Sequence, residues 1–135
     1  MADKHDDMLQ FWSDRVSRYG ADPKSNTNDV WLREVEINSI QKVLDRYKPR
    51  RVLDFGCANG YTTRRLAEKY TTISFIGIDI NQNMIAAANG MPLPRNLSFR
   101  CENVLIDDME QDFDLIISIR VFQNIETLEL QTKVF

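Results

Sequence analysis

The spacing of apolar residues changes partway along this chain. Met8, Phe11, Trp12, Val16 and Tyr19 recur three or four positions apart, which predicts a short amphipathic helix ended by Gly20. Ala21–Asn28 is rich in Ser, Asn, Asp and Pro and reads as a loop. A second helix comes next, capped by Asn28 or Asp29 and ending before Pro49. Its inward side is expected to carry Leu32, Val35, Ile40, Val43, Leu44 and Tyr47. Arg33, Glu34, Glu36, Lys42 and Asp45 read as its solvated side. Beyond Pro49, short β-branched and apolar runs alternate with helical stretches. Strands are predicted at Arg51–Phe55, Thr72–Ile78, Leu97–Cys101 and Leu115–Ile119, and helices at Tyr61–Tyr70, Gln82–Ala88 and Glu126–Phe135. This alternation predicts an α/β fold with a parallel sheet. The near-continuous apolar run Leu115–Ile119 predicts a strand buried on both faces.

Composition narrows the class. The chain has 135 residues, 43% hydrophobic and 27% charged, the balance of one soluble domain. Two cysteines, Cys57 and Cys101, are too few for a disulfide scaffold. They read as small buried hydrophobes in a reducing compartment, so the expected location is cytoplasmic. No apolar run is long enough for a transmembrane helix, and the polar, acidic start Met1–Asp7 is no signal peptide. Residues 1–7 read as a disordered tail. A net charge of −3 without a long basic run argues against a nucleic-acid or membrane surface. The one histidine, His5, falls in that tail, which leaves no internal histidine base and no histidine-rich metal site.

The candidate chemistry sits in Val52–Gly60. A strand delivers the chain to a glycine turn that opens a helix, and α/β sheets bind ligands there, beyond the carboxyl ends of their strands. Gly56 lets backbone approach a ligand closely, and Gly60 permits a turn that other residues resist. Asp79 ends the second strand, where a carboxylate can accept both hydroxyls of a ribose, or cap the next helix. A dinucleotide loop requires glycines that Ala58 and Tyr61 replace, and Asp54 would repel a pyrophosphate, so a nicotinamide-dependent oxidoreductase is disfavoured. An acid at Asp54 suits a ligand bearing an ammonium group.

These residues resemble the class I S-adenosylmethionine-dependent methyltransferases. Val52–Gly60 resembles the family's first motif, (Asp/Glu)-x-Gly-x-Gly-x-Gly, matched at Asp54, Gly56 and Gly60 and departing at Ala58. Ile76–Ile80 resembles the second motif, which implies Asp79 on the ribose and Ile80 against the adenine. Phe99–Val104 resembles the third, with Asn103 where the family has an adenine-facing Asp and Val104 beside it; Asn103 also reads as a turn residue. Phe113–Ile125 resembles the fourth strand and the helix after it, which implies Ser118 and Arg120 near the methyl group or the methionine end.

The resemblance implies a Rossmann-like three-layer sandwich with strand order 3-2-1-4. Its cofactor is S-adenosyl-L-methionine, the product S-adenosyl-L-homocysteine, and the residues binding them include Asp54, Gly56, Cys57, Ala58, Gly60, Asp79, Ile80, Asn103, Val104 and Ser118. The expected reaction is in-line methyl transfer to a small-molecule or glycan-type acceptor, with no metal. Residues 8–49 are then N-terminal helices placed to form a lid, with Arg33 a candidate partner for the methionine carboxylate. Residues 50–135 form the cofactor domain, expected to lack the family's C-terminal strands. That would leave Leu115–Ile119 as an open edge inviting a second copy or a partner chain. The alternative reading is a non-catalytic cofactor-binding or assembly module pairing through that edge.

Overall fold

The structure, a computed structural model, describes residues 4–109 and 112–134. Its elements in chain order are α1 (Lys4–Tyr19), α2 (Val30–Tyr47), β1 (Arg51–Phe55), α3 (Tyr61–Lys69), β2 (Ser74–Asp79), α4 (Gln82–Asn89), β3 (Leu97–Cys101), β4 (Leu115–Ser118) and α5 (Leu128–Lys133). Short 3-10 turns lie at Pro23–Ser25 and Phe122–Asn124. All strand pairs are parallel, in the order β3-β2-β1-β4.

Two layers of packing make the core. On one sheet face, Val52, Phe75, Leu97, Phe99 and Ile117 meet Ile37, Ile40 and Leu44 of α2, Leu66 and Ala67 of α3, and Ile85 and Ala88 of α4. Phe75, Leu44 and Leu66 are almost fully buried, each a stabilisation of about 2–3 kcal/mol from apolar surface removed from water. The opposite face carries a smaller cluster of Leu53, Ile76 and Ile78, closed by Phe55, Val104, Met109 and Phe113. Among the described residues no helix contributes to that cluster, so the third layer of the expected sandwich is formed there by strand ends and loops.

Several boundaries and faces differ from the sequence reading. Helix α1 begins at Lys4, so Lys4–Asp7 form its first turn rather than a tail; Asp6 and Asp7 favour the N-terminal end of the helix dipole. Residues 1–3 and Phe135 lie outside the described residues. In α2 the buried stripe is Arg33, Ile37, Ile40 and Leu44, while Leu32, Val35, Val43 and Tyr47 are exposed. Sequence counting places the inward face about one residue off, because α2 is nearly as apolar on its outer side as on its inner. Asp29, not Asn28, caps this helix, accepting from the Leu32 N–H at 2.9 Å, and Lys48 ends it in the left-handed region at φ 48°. Cys101 is exposed, whereas Cys57 is buried. Strand β4 buries Ile117 but leaves Ile116 60% exposed, so it is an edge strand covered on one face rather than buried on both.

Gly60 makes one stability prediction. It caps α3 at φ 75°, and a Cβ there would lie 2.3 Å from Cζ of the buried Phe99 ring. Gly60→Ala therefore adds left-handed strain to overpacking, an expected loss of about 3 kcal/mol in unfolding free energy. Urea denaturation checks this; a midpoint equal to wild type would contradict the packing.

Candidate functional site

The β1–α3 loop passes over the carboxyl ends of β1 and β2. Gly56 and Cys57 both donate from their N–H groups to the Ile78 carbonyl, at 2.8 and 2.9 Å, which pins the loop to β2. Gly56, Ala58 and Gly60 all have positive φ, at 75°, 51° and 75°. Ala58 tolerates this conformation because its N–H is rewarded, donating to Asp79 Oδ2 at 2.9 Å. Asp79 Oδ1 accepts from the Asn81 N–H at 2.8 Å. Asp79 thus braces both loops, and Asn81, not Asp79, caps α4 by accepting from the Asn83 and Met84 N–H groups.

A cavity of about 490 Å³ opens above these strand ends. It brings together Asp54, Gly56, Cys57, Ala58, Asp79, Ile80, Asn103 and Val104 from the expected set. Gly60 and Ser118 do not line it. Gly60 turns under Phe99, and Ser118 lies on the β4 backbone with a buried hydroxyl that has no partner in the structure. A Cβ at Gly56 would meet Val121 Cγ2 at 2.2 Å, so this glycine makes room for the chain's own segment after β4. Asn103 adopts the turn geometry, accepting from the Leu105 N–H at 3.0 Å, and still faces the cavity.

Much of the remaining wall comes from the N-terminal helices, which the family resemblance anticipates only in outline, as a lid with Arg33 in it. His5, Met8, Leu9 and Trp12 of α1 line one side, and α1 is tied down by Asn81 Nδ2, which donates to the Leu9 carbonyl and Ser13 Oγ, each at 3.1 Å. Asn26 and Arg33 line another side. Asn59, 2% exposed, joins the N-terminal loop to the glycine loop: its Nδ2 donates to the carbonyls of Gly20 and Asp22 at 2.9 Å, and its Oδ1 accepts from Asn26 Nδ2 at 2.9 Å. Arg33, 5% exposed, donates to Thr62 Oγ1 at 3.1 Å and lies 3.5 Å from Glu36. Two atoms here are buried without partners in the structure, the acceptor Asn26 Oδ1 and the donor Arg33 Nε.

A family model described as a methyltransferase domain matches residues 53–133. The chain belongs to the class I S-adenosylmethionine-dependent methyltransferase family. The malonyl-[acyl-carrier protein] O-methyltransferase of Bacillus anthracis is 33% identical to it over 96 residues, covering 68% of this chain and 36% of that protein. The trans-aconitate 2-methyltransferase of Deinococcus radiodurans is 30% identical over 91 residues, covering 67% of this chain and 34% of that protein. The chain thus spans about a third of the length of these relatives. The magnesium protoporphyrin IX methyltransferase of Synechocystis PCC 6803, solved with bound SAM, shares the fold. It has a TM-score of 0.69 at 17% identity and covers 99% of this chain and 70% of its own.

In this family member, burial and charge set the state of the cavity's acids. Asp54 is 5% exposed, and Thr63 Oγ1 donates to its Oδ2 at 2.6 Å. Loss of hydration pushes the Asp54 carboxyl up to about 6, against the downward pull of that hydroxyl and of Arg33. Burial also raises Asp79, offset in part by the N–H groups of Asn81, Ala58 and Ile80. Burial foremost, then the charges of Asp54 and Asp79, push the Cys57 thiol well up, which makes it a packing group rather than a nucleophile. Arg33 is the principal residue whose environment the sequence reading misses. Its place four residues before Ile37, on the Ile37–Leu44 stripe, is the available signal. No group of three or more His, Cys, Asp or Glu able to hold a metal ion occurs among the described residues. No helix among them is long and apolar enough to cross a membrane.

Proposed function

We propose that this chain is the S-adenosylmethionine-binding part of a methyltransferase that acts on a small-molecule or glycan-type acceptor. The observation that carries the reading is the cavity above the strand ends, which gathers Asp54 and Asp79 with the glycine loop and the buried Arg33. An α-amino acid end needs an acceptor for its ammonium and a donor for its carboxylate, and the Asp54 carboxylate and the Arg33 guanidinium on the cavity are one of each. Asp79, at the end of β2, keeps lone pairs for a ribose beyond those used by Ala58 and Asn81. Ile80, Val104 and Leu105 offer an apolar slot for a flat base. When bound, the cofactor supplies a methyl group on a positively charged sulfur that is already activated to leave.

The chain's own contribution is orientation and exclusion of water. Asn59 and Asn81 hold the N-terminal loop and α1 against the cavity, so the ligand would lie between the strand ends and a helical cover. The relatives' names span a carrier-protein acyl group, trans-aconitate and an O-antigen chain terminator, so small-molecule and glycan-type acceptors both keep support from them.

The test separates the two ends of the cofactor. Calorimetry on the wild-type chain should show S-adenosylhomocysteine binding more tightly than methylthioadenosine, which lacks the amino acid end. Arg33→Met should weaken S-adenosylhomocysteine by about tenfold or more and leave methylthioadenosine within about twofold. Equal losses for both ligands would refute the assignment of Arg33 to the carboxylate; no binding of either would refute the reading as a whole.

A further inference from the structure

Helix α2 has two apolar sides, and the fold uses one of them. Its buried stripe, Arg33, Ile37, Ile40 and Leu44, meets the sheet and α3. On the side turned from that stripe, Trp31, Val35, Ser39, Val43 and Tyr47 all reach solvent, with Trp31 83%, Val35 61% and Tyr47 66% exposed. Apolar residues scattered singly over a surface are ordinary. These five are not scattered, since each stands four positions after the last. Rows at that spacing are the ridges by which α-helices pack on one another, and this one runs for about 24 Å.

The order of residues along the ridge points to its occupant. From either end it runs aromatic, Val, Ser, Val, aromatic. A two-fold contact between identical chains needs a surface complementary to itself. With the crossing at Ser39, an antiparallel pair of α2 helices sets Val35 of each copy opposite Val43 of the other, and Trp31 opposite Tyr47. The smallest residue of the ridge then falls where the two backbones come closest. Its hydroxyl donates to the Val35 carbonyl at 2.8 Å, so Ser39 is buried without losing a partner. Charge agrees with the same register. Asp29, exposed at the start of the helix, comes level with the exposed Lys48 of the second copy. Trp31 comes level with Arg46, whose guanidinium already lies 5.4 Å over the Tyr47 ring and gains a second aromatic face. The start of each helix dipole also lies beside the end of the other. The neighbouring acids do not oppose this: Asp45 accepts from the Tyr70 hydroxyl at 2.9 Å, and Glu34 pairs with Arg65.

We propose that the outer ridge of α2 is a self-association surface through which the chain pairs with a second copy. This does not rest on the cofactor reading. Arg33 and the cavity it lines lie on the other side of α2, so each copy keeps its cavity clear of the contact.

Sedimentation equilibrium on the whole chain, from low micromolar to near-millimolar concentration, should show a monomer–dimer equilibrium. Val35→Glu and Val43→Lys should each weaken the dimer at least tenfold, because every substitution enters a two-fold contact twice. Combined in one chain they should recover at least tenfold over either alone, since a carboxylate at position 35 then meets an ammonium at position 43 of the other copy. Ile116→Lys, on the exposed face of the edge strand β4, should leave the dissociation constant within about twofold. A chain that stays monomeric over the whole range overturns the proposal and leaves the ridge to a different partner. So does a dimer that tolerates Val35→Glu, a combined variant no tighter than the single ones, or a dimer that Ile116→Lys dissolves, which would move the contact to the sheet edge. The wild-type result stands even if a variant does not fold.

Discussion

Asp79→Asn should weaken S-adenosylhomocysteine binding by about 1.5–3 kcal/mol, tenfold to more than a hundredfold. Two separate losses add here. The first is charge: two hydroxyls of a ribose donate far more strongly to a carboxylate than to a neutral amide. The second is loop geometry. Both Asp79 oxygens already accept backbone N–H groups, Oδ2 from Ala58 and Oδ1 from Asn81. An asparagine must turn its amide NH2 toward one of them. If it faces Ala58, the left-handed turn at φ 51° loses the bond that compensates it, and the glycine loop relaxes away from β2. Calorimetry measures the affinity, and hydrogen exchange at residues 56–60 measures the loop. Unchanged affinity would show that the ribose is held elsewhere.

The second large effect is on pH. The folded Asp54 carboxyl stands at about 6, above the usual aspartate value near 4, because it is buried. An acid raised in the folded state takes up its proton more readily folded than unfolded. Its stabilising contribution is therefore fully present below about pH 4 and is lost as pH rises through about 6, in all on the order of 3 kcal/mol. Asp54→Asn, which still accepts from Thr63 in the same shape, should flatten that part of the stability profile in denaturation between pH 4 and 7. Cofactor binding should run the other way. Below about pH 6 the protonated Asp54 no longer attracts an ammonium, so wild-type affinity should fall roughly tenfold by pH 5, while Asp54→Asn binds weakly at every pH. A binding profile equally pH-dependent in wild type and variant would exclude Asp54 as the ammonium's partner. The opposition of the two profiles has a physical source: a desolvated carboxylate costs the fold free energy that only a cation in the cavity returns.

Family, topology and the strand-end part of the cavity are legible because they rest on local signals. Alternating strand and helix periods imply the parallel sheet, and the motif spacing implies β3-β2-β1-β4. Asp54, Gly56, Ala58 and Asp79 announce themselves because a strand, a glycine turn and a helix are consecutive in sequence. The acid and the turn it serves are therefore never far apart along the chain.

The other half is not legible, since its residues meet only through tertiary contacts. His5 reads as tail, and Arg33 reads as surface until the family resemblance offers it a carboxylate to pair with. Their burial depends on α1 being tied to Asn81, some seventy residues away, and on α2 rotating so that Ile37, Ile40 and Leu44 face the sheet. Apolar residues line both sides of α2, so periodicity gives no unique inward face, and only packing against α3 and the sheet selects one. Arg120 comes directly after a strand in sequence, but its pairing with Glu36 spans 84 positions. Fold class, strand order and the acids at the strand ends are thus written in the linear chain, through signals carried within one or two elements. Which helix faces line the cavity, which glycines serve packing, and where unpaired buried atoms remain are set in three dimensions. Each of these depends on which distant surfaces exclude water together.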